Sequence, residues 1–270
     1  MCLLVLAWEA HPRYRLIVAA NRDEYHERPA AALSKWAAPD EILAGRDLRA
    51  GGTWLGLDRR RRFGVVTNFR ELQRPIADAP SRGRLIPEYL RGGSNARDYL
   101  AGLQTTAAAY SGFNLLLADE SSLWYASNRA GEFARKLSPG VYGLSNEFLD
   151  TPWPKLQRVC RRFDAWLTGT GPAGATARDG LDPAATELFE ILADPTQAGP
   201  AEELPRTGLS KEWEQVLSSP FVRHPEYGTR CSSVLLLEGS GSFDLAERRF
   251  DSRGAVNGNT ELHVERGSWP

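Results

Sequence analysis

Two apolar runs of strand length open the chain, Leu3–Trp8 (LLVLAW) and Tyr14–Ala20 (YRLIVAA), separated only by Glu9-Ala10-His11-Pro12-Arg13. The spacing predicts a β-hairpin. Neither run alternates apolar with polar residues. A strand that is apolar on successive positions has both of its faces buried. The hairpin therefore needs a layer on each side and cannot sit in a sheet with one face open to water. Phe113–Ala118 (FNLLLA) and Ser233–Leu237 (SVLLL) make the same demand.

Other segments supply the layers. Gly52–Leu57 and Phe63–Phe69 read as a second hairpin with Asp58–Arg62 at its tip. Ser122–Ser127 and Gly140–Leu144 are shorter strands, and Ser242–Phe250 and Asn259–Glu265 close the chain as outer ones. Arg84–Leu90 and Ala96–Leu103 carry apolar residues at helical spacing, and Trp153–Leu167 places Leu156, Val159, Cys160, Phe163 and Leu167 on one stripe. Pro183–Leu192 is a further helix, with Asp182 as N-cap and Pro183 at its first position. Pro195–Leu209 reads as a loop, and Lys211–Leu217 as a short helix. Doubly buried strands joined as hairpins and covered by amphipathic helices predict an α+β fold, a four-layer α/β/β/α sandwich. A three-layer α/β arrangement satisfies the same runs. No linker or repeat divides residues 1–270, so a single domain is expected.

Composition excludes several classes. Net charge is −1 over 270 residues, which gives no field for nucleic acid or anionic membrane. No stretch approaches the ~20 apolar residues of a transmembrane segment. The first apolar run stops at Glu9, too early for a signal peptide. Three scattered cysteines, Cys2, Cys160 and Cys231, make neither a disulfide framework nor a zinc site. The four histidines lack metal-ligand spacing, so no metal is expected. A cytoplasmic protein is the expectation.

Cys2 carries the chemistry. A small side chain after Met1 favours removal of the methionine, which would leave a cysteine with a thiol and a free α-amine. An amine titrating near 7.7–8.0 accepts the proton of a thiol titrating near 8.5, so nucleophile and base share one residue. Read alone, Cys2 is equally a small buried hydrophobe. If Trp8 pairs near Tyr14, Cys2 falls opposite Ala20 or Asn21, and Asn21-Arg22-Asp23-Glu24 lies just past the strand end. A carboxylate there fixes the protonation state of the amine. Gly51-Gly52 reads as a close backbone approach or turn, without the pattern of a phosphate loop. Arg59–Arg62 reads as a solvated hairpin tip, or as an attractor for an anion. Trp54 and Trp124 are candidates for an apolar pocket wall.

Met1-Cys2, Asn21-Arg22-Asp23-Glu24, Gly51-Gly52-Thr53-Trp54-Leu55-Gly56, Val66-Thr67-Asn68-Phe69-Arg70, Gly143-Leu144-Ser145-Asn146 and Tyr227-Gly228-Thr229-Arg230 together resemble the NRDE family, that of the transport and Golgi organization protein 2 homologues. The likeness runs from residue 1 to about residue 240. More distantly, the chain resembles N-terminal-cysteine hydrolases of the choloylglycine and penicillin V acylase type. That second resemblance implies an N-terminal nucleophile hydrolase fold and a set of roles. Cys2 matches the nucleophile, Asp23 the aspartate that binds its amine, and Asn68 the asparagine of the oxyanion hole. Asn146 matches the second asparagine near the nucleophile, and Arg230 the late arginine that steadies the site. Asn21, Arg22 and Trp54 are the substrate-binding candidates. Taken singly, Asn68 and Asn146 also read as turn residues and Arg230 as a packing cation. Those acylases carry an arginine immediately before Asn-X-Asp, where this chain has Ala20.

Two functions follow as expectations. One is an N-terminal-cysteine amidohydrolase that cleaves a non-peptide C–N amide bond of a small amphiphilic substrate. The other is a non-catalytic carrier on the same scaffold for a hydrophobic anion, haem or a lipid or acyl-CoA, which the family resemblance implies. No resident cofactor is expected, with haem only as a bound ligand; the chain has no Cys-Pro pair and no Cys-x-x-Cys-His.

Overall fold

A computed structural model describes residues 2–71, 76, 78–169, 182–199 and 204–270, with Cys2 described through its main chain. Met1 and part of the loop expected over Pro195–Leu209 lie outside the described residues. The first half of the chain runs β1 (Cys2–Trp8), β2 (Tyr14–Tyr25), β3 (Ala30–Lys35), β4 (Ile42–Asp47), β5 (Leu55–Asp58), β6 (Phe63–Asn68), α1 (Leu85–Arg91) and α2 (Ala96–Gln104). Then come β7 (Phe113–Ala118), β8 (Leu123–Ser127), β9 (Ala134–Leu137), β10 (Gly140–Leu144), α3 (Pro154–Leu167), α4 (Pro183–Leu192) and α5 (Lys211–Val216). The chain closes with β11 (Tyr227–Glu238), β12 (Phe243–Phe250) and β13 (Val256–Val264). The class is the expected α+β, built on two antiparallel sheets. Contacts divide the chain into two compact units: Met1–Glu27, Pro139–Ser145 and Leu149–Trp269 in one, and Arg28–Ser138, Asn146–Phe148 and Pro270 in the other.

The first unit holds a six-stranded sheet in the order β10-β1-β2-β11-β12-β13. Val5, Ile17, Ala19, Val234 and Leu236 lie on one face of it, in one core cluster with Leu156, Val159 and Phe163 of α3 and Leu188, Phe189 and Leu192 of α4. Each fully buried Leu or Phe there contributes about 1.5–3 kcal/mol of hydrophobic stabilisation. Asp182 caps α4 as the sequence predicts, its Oδ1 accepting the Ala184 amide at 2.7 Å. Gly143 lets α3 approach β10: a β-carbon there would stand 2.7 Å from Cys160 Sγ. Both Cys160 and Cys231 are free thiols, and burial pushes the Cys160 thiol up to about 11.

The second unit holds seven strands in sequential order, β3 to β9. Leu85, Ile86, Tyr89, Leu100 and Leu103 from the helices form one core cluster with Leu115 and Leu117 of β7. Strands β3, β4 and β9 escape the sequence reading. The first (AAALSK) is alanine-rich and the last (ARKL) charged, and neither composition favours a strand. Among the described residues, no helix is long and apolar enough to cross a membrane.

Candidate functional site

The Asn21-Arg22-Asp23-Glu24 segment lies inside β2, not beyond its end. Polar residues remain in the sheet there because β11 pairs with β2 as far as Tyr227↔Tyr25. The register of the first hairpin also differs from expectation. Trp8 pairs with Leu16, so the partner of Cys2 is Arg22 rather than Ala20 or Asn21. The connection is the cause. Glu9 takes a φ of 47° and its amide bonds the Arg15 carbonyl, while His11 Nδ1 accepts the Arg13 and Tyr14 amides. The wider turn shifts the pairing by about two residues.

Direct cross-strand partners share a face, and faces alternate along a strand. Position 2, Arg22 and Cys231 therefore form one row across β1, β2 and β11 on the face opposite the helices. Ala20 and Arg22 lie on that same face, and Arg22 is the direct cross-strand partner of position 2. Arg22 is 6% exposed, with Nη2 at 3.8 Å from Glu24 Oε2.

Arg230 enters through a bulge. The register jumps from Thr229↔Asp23 to Cys231↔Arg22, leaving Arg230 as the extra residue in β11. Bulges re-aim side chains. Here Arg230 Nη1 donates to the carbonyls of Tyr25 and His26, each at 2.9 Å. Burial first, then the positive charge of Arg22, lowers the Arg230 pKa from the usual arginine value. An arginine stays charged in proteins, so two cations stand together at this end of the sheet.

Asn21 and Asp23 point to the helix face, and both are buried. Asn21 Nδ2 donates to the Leu192 and Pro220 carbonyls at 2.9 Å each, and its Oδ1 accepts from Ser232 Oγ. That side chain ties the end of α4 to β2 and β11. Asp23 Oδ1 accepts from Thr229 Oγ1 at 2.7 Å, and Thr229 Oγ1 accepts the Val222 amide at 2.9 Å. Tyr227 donates its hydroxyl to the Asp23 carbonyl at 2.8 Å. Thr229 carries no distinguishing signal in the sequence beyond its motif.

Asn68, Asn146 and Trp54 belong to the second unit. Asn68 ends β6, and its carbonyl accepts from Asn146 Nδ2 at 2.9 Å. Asn146 is fully buried. Its own carbonyl accepts the Arg70 amide at 2.6 Å, so the two asparagine segments are clamped together. Asn114, which the sequence reading missed, supports that loop. It is fully buried in β7, donates to the Glu147 carbonyl at 2.8 Å and accepts from Tyr125 Oη at 2.8 Å. Its signal was available: one amide inside the apolar run FNLLLA. Trp54 is half-buried, and its carbonyl accepts the Val66 amide at 2.9 Å. Among the described residues no group of three His, Cys, Asp or Glu side chains stands where it would hold a metal ion.

Known proteins resemble this chain along its length. Residues 1–252 match the family model described as Transport and Golgi organisation 2. The transport and Golgi organization protein 2 homolog of Bos taurus is 33% identical over 285 residues, covering 98% of this chain and 99% of that protein. The transport and Golgi organization protein 2 of Drosophila melanogaster is 26% identical over 289 residues, covering 98% of each. Among solved structures, the Caenorhabditis elegans N-acylethanolamine-hydrolyzing acid amidase ortholog matches with a TM-score of 0.47 at 11% identity, over 87% of this chain and 92% of that one. By the extent of the family match and of its relatives, the chain belongs to the transport and Golgi organisation 2 family.

Proposed function

We propose that the protein is an N-terminal-cysteine amidohydrolase acting on a small amphiphilic amide. The observation that carries this reading is the register Cys2↔Arg22, which sets a buried guanidinium beside the nucleophile position. A neighbouring cation lowers a thiol's pKa and raises the thiolate fraction. With Met1 removed, the α-amine of Cys2 takes the thiol proton as sulfur attacks the acyl carbon. It then returns that proton to the leaving nitrogen as the C–N bond breaks, and water hydrolyses the resulting thioester. Asp23 is given the role of holding the ammonium form that the acylase resemblance implies for it. Arg230 adds a second positive charge at the same strand ends. Asn68 keeps the oxyanion role, and Asn146 the place near the nucleophile, that the acylase resemblance implies for them.

The test is an intact-mass measurement of the native protein, followed by a screen of N-acyl amides with Cys2→Ala in parallel. Loss of Met1 and turnover that disappears in Cys2→Ala are the expected results. Full turnover by Cys2→Ala, or by a chain that retains Met1, overturns the assignment. The adjacent arginines also favour a second reading, a carrier for a hydrophobic anion such as haem or an acyl compound. Saturable binding without any Cys2-dependent turnover selects it.

A further inference from the structure

The row that begins at position 2 continues past β11. Cys231 pairs with Arg249 of β12, and Arg249 with Gly258 of β13. Position 2, Arg22, Cys231, Arg249 and Gly258 thus lie side by side on the face opposite the helices. The neighbouring residue confirms the alternation, since Arg248 stacks its guanidinium 4.8 Å from the Phe189 ring of α4 on the helix side.

Arg249 is half-buried, its Nε is shielded from solvent, and among the described residues its side chain makes neither a hydrogen bond nor an ion pair. Its guanidinium rests over Gly258, where a β-carbon would stand 2.2 Å from Nη2 and 2.8 Å from Cζ. The glycine makes room for the planar group. Burying part of a guanidinium without a partner is costly, and a ligand anion removes that cost. The charges of the face agree: Arg22, Arg230 and Arg249 stand against Glu24 and Glu247.

We infer that Arg249, seated on Gly258, is an anion subsite that binds the carboxylate or phosphate head of an amphiphilic ligand whose other end reaches Cys2. This rests on the reading of Cys2 as the reactive residue, and it narrows the ligand class. Arg249 is three strand spacings from position 2, roughly 14 Å between α-carbons. The ligand therefore carries its anion well away from the bond at Cys2, with a chain long enough to span three strand spacings.

The test is a titration of the full-length protein with dodecanoate, dodecyl phosphate and uncharged dodecanol, in a Cys2→Ala background so that binding is read without turnover. Arg249→Gln removes the cation. Gly258→Ala leaves the charge but fills its seat, and it lies on an exposed outer strand where the fold tolerates a methyl group. Both variants are expected to weaken binding of at least one anionic probe about tenfold, the worth of one charge-assisted hydrogen bond, and to leave dodecanol unchanged. Preference between the two anions identifies the head group. Equal affinity of Arg249→Gln and the parent for both anions overturns the subsite, as does the absence of saturable binding by the parent. The hydrolase reading fails separately, if the wild-type chain turns over no amide while Arg249-dependent binding persists.

Discussion

Gly52 meets the main chain of Gly83 so closely that a β-carbon on Gly52 would stand 2.2 Å from the Gly83 carbonyl oxygen, which also accepts the Thr53 amide at 2.9 Å. The contact is backbone against backbone, so no rotamer change relieves it. Gly52→Ala is expected to cost at least the ~1–3 kcal/mol typical of overpacking. Gly51 has a φ of 75° but open space around it, so Gly51→Ala is expected to cost only the ~1–2 kcal/mol of left-handed strain. Urea denaturation of both variants ranks them. Equal stabilities would mean that the Gly83 contact does not constrain the fold.

The pairing of Arg22 with Cys2 predicts a change in thiol reactivity. Arg22→Gln removes a positive charge beside the nucleophile position, so the apparent pKa for alkylation of Cys2 should rise. The pH dependence of iodoacetamide labelling, followed by peptide mass, measures it. An unchanged profile would show that Arg22 does not reach the sulfur.

Thr229 links Asp23 to the Val222 amide through one hydroxyl. Thr229→Val keeps the shape but deprives both buried groups of that partner, at an expected cost of about 1–3 kcal/mol. Thr229→Ser should recover most of the loss. Chemical denaturation of the pair gives the answer, and a Val variant as stable as the wild type would contradict it.

His263 on β13 lies 2.7 Å from Asp244 Oδ1 and 3.0 Å from Glu265 Oε1. Hydrogen bonds to Asp244 and then Glu265 raise its pKa from 6.5 to about 9. The folded state therefore holds the proton more tightly than the unfolded chain. That contribution is complete below pH 6.5 and is lost as pH rises through about 9. The Glu265 pKa is lowered by the same bond, so its share disappears as pH falls below the ordinary carboxylate range. The ring is exposed, and screening keeps the effect below about 1 kcal/mol. Thermal melts of wild type and His263→Gln should differ most near pH 6 and converge above pH 9. A constant difference across that span would refute the linkage.

Much of the fold was legible in the apolar runs. Strands β1, β7 and β10 and helix α4 fall where apolar runs and capping put them; β1 and β7 are buried at every described side chain, and α4 packs its apolar residues into the core behind the Asp182 cap. The polar half of β2 was not legible. Asn21, Arg22 and Asp23 look like a turn in sequence, and only the pairing with β11, some two hundred residues away, keeps them extended. The hairpin register was lost for a local reason, the backbone of Glu9 and the ring nitrogen of His11 widening the turn. Arg249 left no trace in the sequence, since its meaning depends on which residues lie beside it in the sheet.

Strand β2 lies between β1, its immediate predecessor in the chain, and β11, whose Thr229 is 206 residues from Asp23. During synthesis the first hairpin therefore exists for most of the chain's emergence with one long edge unpaired. Closing so distant a contact is slow, and an unpaired apolar edge is prone to misassociation while it waits. Refolding should be limited by the arrival of β11, and a chain truncated before Tyr227 should collect in aggregates rather than as a smaller folded protein.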